Sequence, residues 1–195
     1  MRTVETTAQK DVAVQRLFVA VPVPEELFSF VHAAQALLPA LDGLRLMRED
    51  QFHVTLAFIG EVGPDKAAAA REVVCSIPGC LGGAAELGGF VYFPTPTKAR
   101  VVALGITDPH RIFVQLFERV TSGLEKAKVM KREKRPFRPH LTIARLKIPG
   151  AVKPKSDPGQ QVFAVQSVCL YRSELCRDGA VYTVLERVPL AGAAQ

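Results

Sequence analysis

The sequence has no tryptophan and only three tyrosines in 195 residues, so its aromatic bulk rests on eleven phenylalanines. Its four cysteines, Cys75, Cys80, Cys169 and Cys176, stand at spacings of five and seven, with no C-x-x-C pair. A zinc site wants tighter pairs or a neighbouring His pair, so these read as reduced structural thiols. No apolar run approaches the ~20 residues needed to cross a bilayer, which argues against a membrane partner. The opening "MRTVETTAQKDVAVQR" has no apolar stretch before a small-residue cleavage site, so no secretory signal is expected and the expected compartment is the cytoplasm. Acidic residues are in deficit: 19 against 25 basic ones, for a net charge of +6. That balance suits a polyanionic partner such as nucleic acid without requiring one.

What is present is an ordinary globular composition, 48% hydrophobic and 23% charged, on a chain long enough to bury a sizeable core. Residues 1–15 are polar and aperiodic and are expected to form a flexible tail; residues 16–195 are expected to form one domain. "RLFVAVPVP" (16–24) reads as a buried strand closed by prolines. A helical pattern follows over 24–41, with Pro24 and two glutamates at its start. "LRLMREDQFHVTLAFIGEV" (44–62) gives two extended pieces around a polar turn at Arg48–Gln51. Residues 63–77 are helical, helped by an alanine run. Residues 90–106 give two strands across Pro-Thr-Pro-Thr. Residues 108–127 form a helix capped by Asp108, with Pro109 in its first turn. "QVFAVQSVCLYRSEL" and "AVYTVLERVPL" are two final strands, and the Asp-Gly between them signals a hairpin. The class is α+β.

The two halves repeat one unit. Strand, Pro-opened helix and a strand carrying "HVTL" (53–56) are matched by strand, Pro-opened helix and a strand carrying "HLTI" (140–143). Side chains alternate along a strand, so His53 and Thr55 share one face, as do His140 and Thr142, while Val54, Leu56, Leu141 and Ile143 face a core. An imidazole beside a hydroxyl wants a hydrogen-bonding partner or a wet cleft. With ten threonines in the chain, two of four histidines having Thr at i+2 is about a 1–2% coincidence by composition. A single such motif reads as structural; two in parallel contexts read as a site.

Two imidazoles can serve as general base and general acid, since a histidine near its ordinary pKa of about 6.5 can be neutral or protonated at neutral pH. Placed on opposite sides of a phosphodiester, they suit in-line attack at phosphorus. The threonine hydroxyls can donate to the non-bridging oxygens as charge builds there. The scheme needs no metal, and no third ligand stands at suggestive spacing. The segment 126–138 carries seven basic residues and one acid, Glu133. Most read as a solvated face. Arg138, at i−2 from His140, is expected on the polar face, where its guanidinium could clamp phosphate oxygens.

The paired H-x-T-x motifs resemble those of the two-histidine phosphoesterases. "RLFVAVPVPEEL", "QFHVTLAFIGEV", "RPFRPHLTIARL" and "LYRSEL" resemble, in order over about residues 16–187, the bacterial RNA 2′,3′-cyclic phosphodiesterases, also called 2′-5′ RNA ligases. The resemblance implies a bilobal α+β fold: two pseudo-symmetric lobes, each with an antiparallel sheet and helices, flanking an active-site cleft. It implies opening of a terminal 2′,3′-cyclic phosphate on RNA to a 2′-phosphate, without metal or cofactor, and in some members 2′-5′ ligation. It further implies His53 as proton donor, His140 as proton acceptor, and Thr55 and Thr142 as phosphate-oxygen ligands. The residues alone leave the donor and acceptor roles open. RNA with a cyclic-phosphate end is the expected partner, and a monomer the expected state. Alternatives are a phosphodiesterase for small cyclic nucleotides or 2′-5′ oligonucleotides, and an RNA- or nucleotide-binding module that does not turn over.

Overall fold

The computed structural model describes residues 14–77, 82–133, 135–176 and 179–190. Most of the expected tail lies outside these residues; Gln15 already belongs to the first strand. Nine strands and three helices of at least two turns follow in chain order. They are β1 (Gln15–Pro22), α1 (Phe28–Ala36), β2 (Leu44–Leu46), β3 (His53–Val62), α2 (Pro64–Cys75), β4 (Gly83–Phe93), β5 (Ala99–Thr107), α3 (Ile112–Lys126), β6 (His140–Gly150), β7 (Gln160–Val165), β8 (Ser167–Cys176) and β9 (Gly179–Pro189). Among the described residues no helix is long and apolar enough to cross a membrane.

The strands form an antiparallel sheet in the order β7-β4-β5-β6-β3-β1-β8-β9, with β2 paired to β6. It is two four-stranded runs, with β2 added alongside β6, joined at the centre by a single register pair, Val54 against Leu141. The expected repeat is visible in this order. β1 and β3 pair in one lobe, β5 and β6 in the other, and the two histidine strands meet in the middle.

One face is aliphatic and is covered by helices. Leu17, Val19 and Val21 of β1, Val54 and Leu56 of β3, and Leu141 and Ile143 of β6 are buried there. They join Val31 of α1, Val74 of α2 and Phe113, Leu116 and Leu124 of α3 in one core. The helices interlock the lobes: α1 packs on β6 and α3 on β3. Gln35 of α1, itself buried, donates from Nε2 to the carbonyls of Met47 (2.8 Å) and Ile143 (2.9 Å), fixing helix to strand across the lobes.

Several boundaries differ from the sequence reading: α1 ends at Ala36 rather than 41, and β4 starts at Gly83 rather than 90. The first helix opens as a 3₁₀ turn, Glu25–Leu27, before α1. Helix α3 begins at Ile112, after Arg111 in the left-handed region (φ 55), so Pro109 precedes it. Asp108 still caps it, accepting from the amides of Ile112 and Phe113 at 2.8 Å each. The stretch read as one strand over 161–175 is two, because the chain leaves β4 in one lobe and crosses at Gln166 to β1 in the other. Continuous β-branched patterning cannot report a change of partner.

Candidate active site

β3 and β6 run antiparallel through the Val54–Leu141 pair. That register sets His53 across from Thr142 and Thr55 across from His140, with all four side chains on the face opposite the helices. The four residues are partly buried in the groove between the lobes. Beside Thr55 and His140 lies a cavity of about 760 Å³, walled by Phe58, Phe93, Phe137 and Arg138.

Each imidazole is held from behind by backbone two residues earlier. Nδ1 of His140 lies 2.7 Å from the carbonyl oxygen of Arg138, and the His53 ring hydrogen-bonds the backbone of Gln51. Each also lies against aromatic rings. His53 has Phe18 at 4.9 Å between centroids and Tyr182 edge-on at 5.2 Å; His140 has Phe93 at 4.6 Å. Phe18 stacks in turn on Tyr171 at 4.9 Å, and with Ala20 and Cys169 they make a small second core under His53.

Burial dominates the electrostatics. It lowers His53 to about 4 against the opposing effect of the Gln51 hydrogen bond, and Arg145 and His140 lower it further. Burial also lowers His140, opposed by the Arg138 carbonyl and assisted by the Arg145 and Arg138 charges. Both shifts favour the neutral ring at pH 7, where the sequence reading assumes ordinary histidine values. A bound phosphate anion would favour the imidazolium form and restore a donor.

Arg138 is placed differently from its sequence reading. It precedes β6 rather than lying in it, its carbonyl positions His140, and its guanidinium carbon lies 5.5 Å above the Phe93 ring centre. It still borders the cavity with Thr55 and His140.

Arg145 was not legible in the sequence. At i+5 from His140 it belongs, by strict alternation, to the core face. A β-bulge reverses this: β5 pairs Ala103 with Thr142 and then Val102 with Ala144, so Ile143 is extra. Ile143 and Ala144 are both buried, and Arg145 emerges on the histidine face. The same bulge recurs in β3, where Ala20 pairs Thr55 and Val19 pairs Ala57, with Leu56 extra. Phe58 thereby becomes the counterpart of Arg145, 61% exposed at the cleft and 5.9 Å from Phe18. Among the described residues no three His, Cys, Asp or Glu side chains gather as a metal centre would require. Cys75, Cys169 and Cys176 are free thiols, away from any such cluster; Cys80 lies outside the described residues.

The sequence profile of the 2′-5′ RNA ligase superfamily matches residues 23–174, most of the chain and both histidine strands. The chain belongs to that superfamily. Among its curated members, an RNA 2′,3′-cyclic phosphodiesterase of Thermus thermophilus is 33% identical over 187 residues, covering 91% of each chain. An RNA 2′,3′-cyclic phosphodiesterase of Escherichia coli is 32% identical, covering 89% of this chain and 95% of its own. In structure, this member of the superfamily superposes on E. coli LigT crystallised with 3′-AMP at a TM-score of 0.79 and 31% identity, over 91% of this chain and 99% of that one. The α+β fold read from the strand and helix pattern, and implied by the family resemblance, is the fold observed.

Proposed function

We infer that the protein is an RNA 2′,3′-cyclic phosphodiesterase that opens a terminal cyclic phosphate to a 2′-phosphate, with His53 as general acid and His140 as general base. The observation that carries this reading is the β3–β6 register, which gathers two imidazoles and two hydroxyls on one face of the sheet. The activity follows the chain's close relatives of that name, which it matches almost end to end.

With Nδ1–H of His140 donating to the Arg138 carbonyl, Nε2 keeps a lone pair and can accept a proton from water. The water oxygen bonds to phosphorus as the bond from phosphorus to O3′ breaks. The proton of His53 goes to O3′, leaving a 3′-hydroxyl and a 2′-phosphate. Thr55 and Thr142 donate to the non-bridging oxygens, and Arg145 offsets the charge that develops on them. Arg138 lines the cavity beside Thr55 and His140, which supports a role in binding substrate rather than in moving protons. The phosphate anion raises both imidazole pKa values on binding, so the donor is charged by the substrate itself. With a 5′-hydroxyl in place of water, the same ring opening forms a bond from phosphorus to O5′ as the bond to O3′ breaks, which gives the 2′-5′ ligation of the superfamily. The RNA substrate and the free thiols fit a cytoplasmic setting.

The test is hydrolysis of an RNA ending in a 2′,3′-cyclic phosphate, with chelator present. The wild type should give a 2′-phosphate product, and His53→Ala and His140→Ala should each lose about 10²–10⁴-fold in kcat while remaining folded. Full activity in either variant, or a requirement for added metal, would sink the mechanism.

A further inference from the structure

A second groove, of about 560 Å³, opens on the His53 side of the site. Phe18 and Tyr182, both in ring contact with His53, form its inner wall. Its outer wall carries Arg16 of β1, Arg45 of β2, and Arg145 and Lys147 of β6, and no aspartate or glutamate lines it among the described residues. Arg45 and Arg145 are direct cross-strand partners. Like charges placed opposite one another destabilise a sheet, a cost that a bound anion reverses.

The groove is also constructed around these groups. Gln51, 1% exposed, donates from Nε2 to the carbonyl of Ala180 at 2.7 Å and receives the Arg45 guanidinium on Oε1 at 3.5 Å. Its backbone meanwhile holds the His53 ring. At the foot of β9, Gly179 (φ 117) lies against the Arg45 guanidinium, where an added Cβ would collide with it. One buried residue, Gln51, thus ties the basic wall and the β8–β9 hairpin through its side chain and meets the imidazole through its backbone.

The opposite cavity differs. Its basic residues come from the 126–138 segment, but Arg135 is bound to Glu133 at 2.7 Å and Arg138 lies over Phe93. Phe58, Phe93, Phe117 and Phe137 also line it, making it the more aromatic of the two.

Building on the phosphodiesterase reading, we propose that the Arg16–Arg45–Lys147 groove binds the phosphodiester backbone of the RNA upstream of the cyclic phosphate, and so selects RNA ends over mononucleotides. Successive phosphates carry one negative charge each, and guanidinium groups match their oxygens in bidentate geometry. The upstream chain leaves the terminal nucleotide through its 5′ oxygen, and Phe18 and Tyr182 connect the groove to His53, the acid acting on that nucleotide.

The test uses a variant combining Arg16→Gln, Arg45→Gln and Lys147→Gln, all at exposed positions, against two substrates. One is a ten-nucleotide RNA with a 2′,3′-cyclic end; the other is adenosine 2′,3′-cyclic phosphate. We expect kcat/KM on the RNA to fall about tenfold or more through KM, with the mononucleotide changed less than twofold. The salt dependence of log KM on RNA should lose about two units of slope, near 0.7 per cation for single strands. Equal losses on both substrates, no loss on RNA, or an RNA-selective loss in Lys131→Gln/Arg132→Gln instead would overturn the groove assignment. Fluorescence anisotropy of a labelled RNA keeps the two readings apart. A wild type that hydrolyses neither substrate would overturn the phosphodiesterase reading, and unchanged RNA affinity in the triple variant would still overturn the groove.

Discussion

Nδ1 of His140 lies 2.7 Å from the carbonyl oxygen of Arg138, two residues before it in the chain. A carbonyl only accepts, so Nδ1 carries the proton and Nε2 presents its lone pair to the cleft. Long-range ¹⁵N–¹H NMR at pH 7.5 should therefore find His140 as the neutral Nδ1–H tautomer. An Nε2–H tautomer would remove it from the acceptor role.

Burial sets the pH response of catalysis. With His53 near 4 and His140 below its ordinary value, the free enzyme loses its protonated donor as pH rises and its free acceptor as pH falls. A bell-shaped kcat/KM profile with its optimum below pH 6.5 is expected. The kcat profile should peak at higher pH, because bound phosphate stabilises both imidazolium forms. A kcat/KM optimum at or above neutrality would contradict the depressed pair.

The same shift acts on stability. His53 is neutral in the fold down to about pH 4, whereas in the unfolded chain it gains a proton near 6.5. Between those values the unfolded state binds more protons, so the stability contributed by the neutral ring is present above pH 6.5 and lost as pH falls. Denaturant unfolding at pH 7 and pH 5 should differ by about 1–2 kcal/mol less in His53→Gln than in the wild type. An identical difference in both would show that His53 does not carry the effect.

Arg145 lowers the pKa of both histidines. Arg145→Gln should raise both, moving the kcat/KM optimum to higher pH, and should cost roughly tenfold or more in kcat/KM as transition-state charge loses its counterpart. Arg145→Lys keeps the charge and should keep the wild-type optimum. A pH optimum unmoved in Arg145→Gln would exclude the electrostatic role.

Much of the site could be read in one dimension. The H-x-T spacing puts His53 with Thr55 and His140 with Thr142 because strand alternation is a local property of the backbone, and valine, leucine and isoleucine at the intervening positions demand a core. The Asp108 cap and the repeated strand–helix–strand unit were legible for the same reason: each depends on neighbours in sequence. What was not legible is whatever depends on a partner strand. Alternation assigns Arg145 and Phe58 to the core face, and only the bulges at Ile143 and Leu56, created by pairing with β5 and β1, turn them to the cleft. Nor could sequence foresee that β7 and β8 serve different lobes, or that Arg45 would stand opposite Arg145. The histidine pKa values belong to this second class. The sequence by itself determined which imidazoles and hydroxyls would share a face; the tertiary structure decided their protonation, because the rings of Phe18 and Tyr182 around His53, that of Phe93 on His140 and the charge of Arg145 near His53 are brought there only by strand pairing between distant parts of the chain.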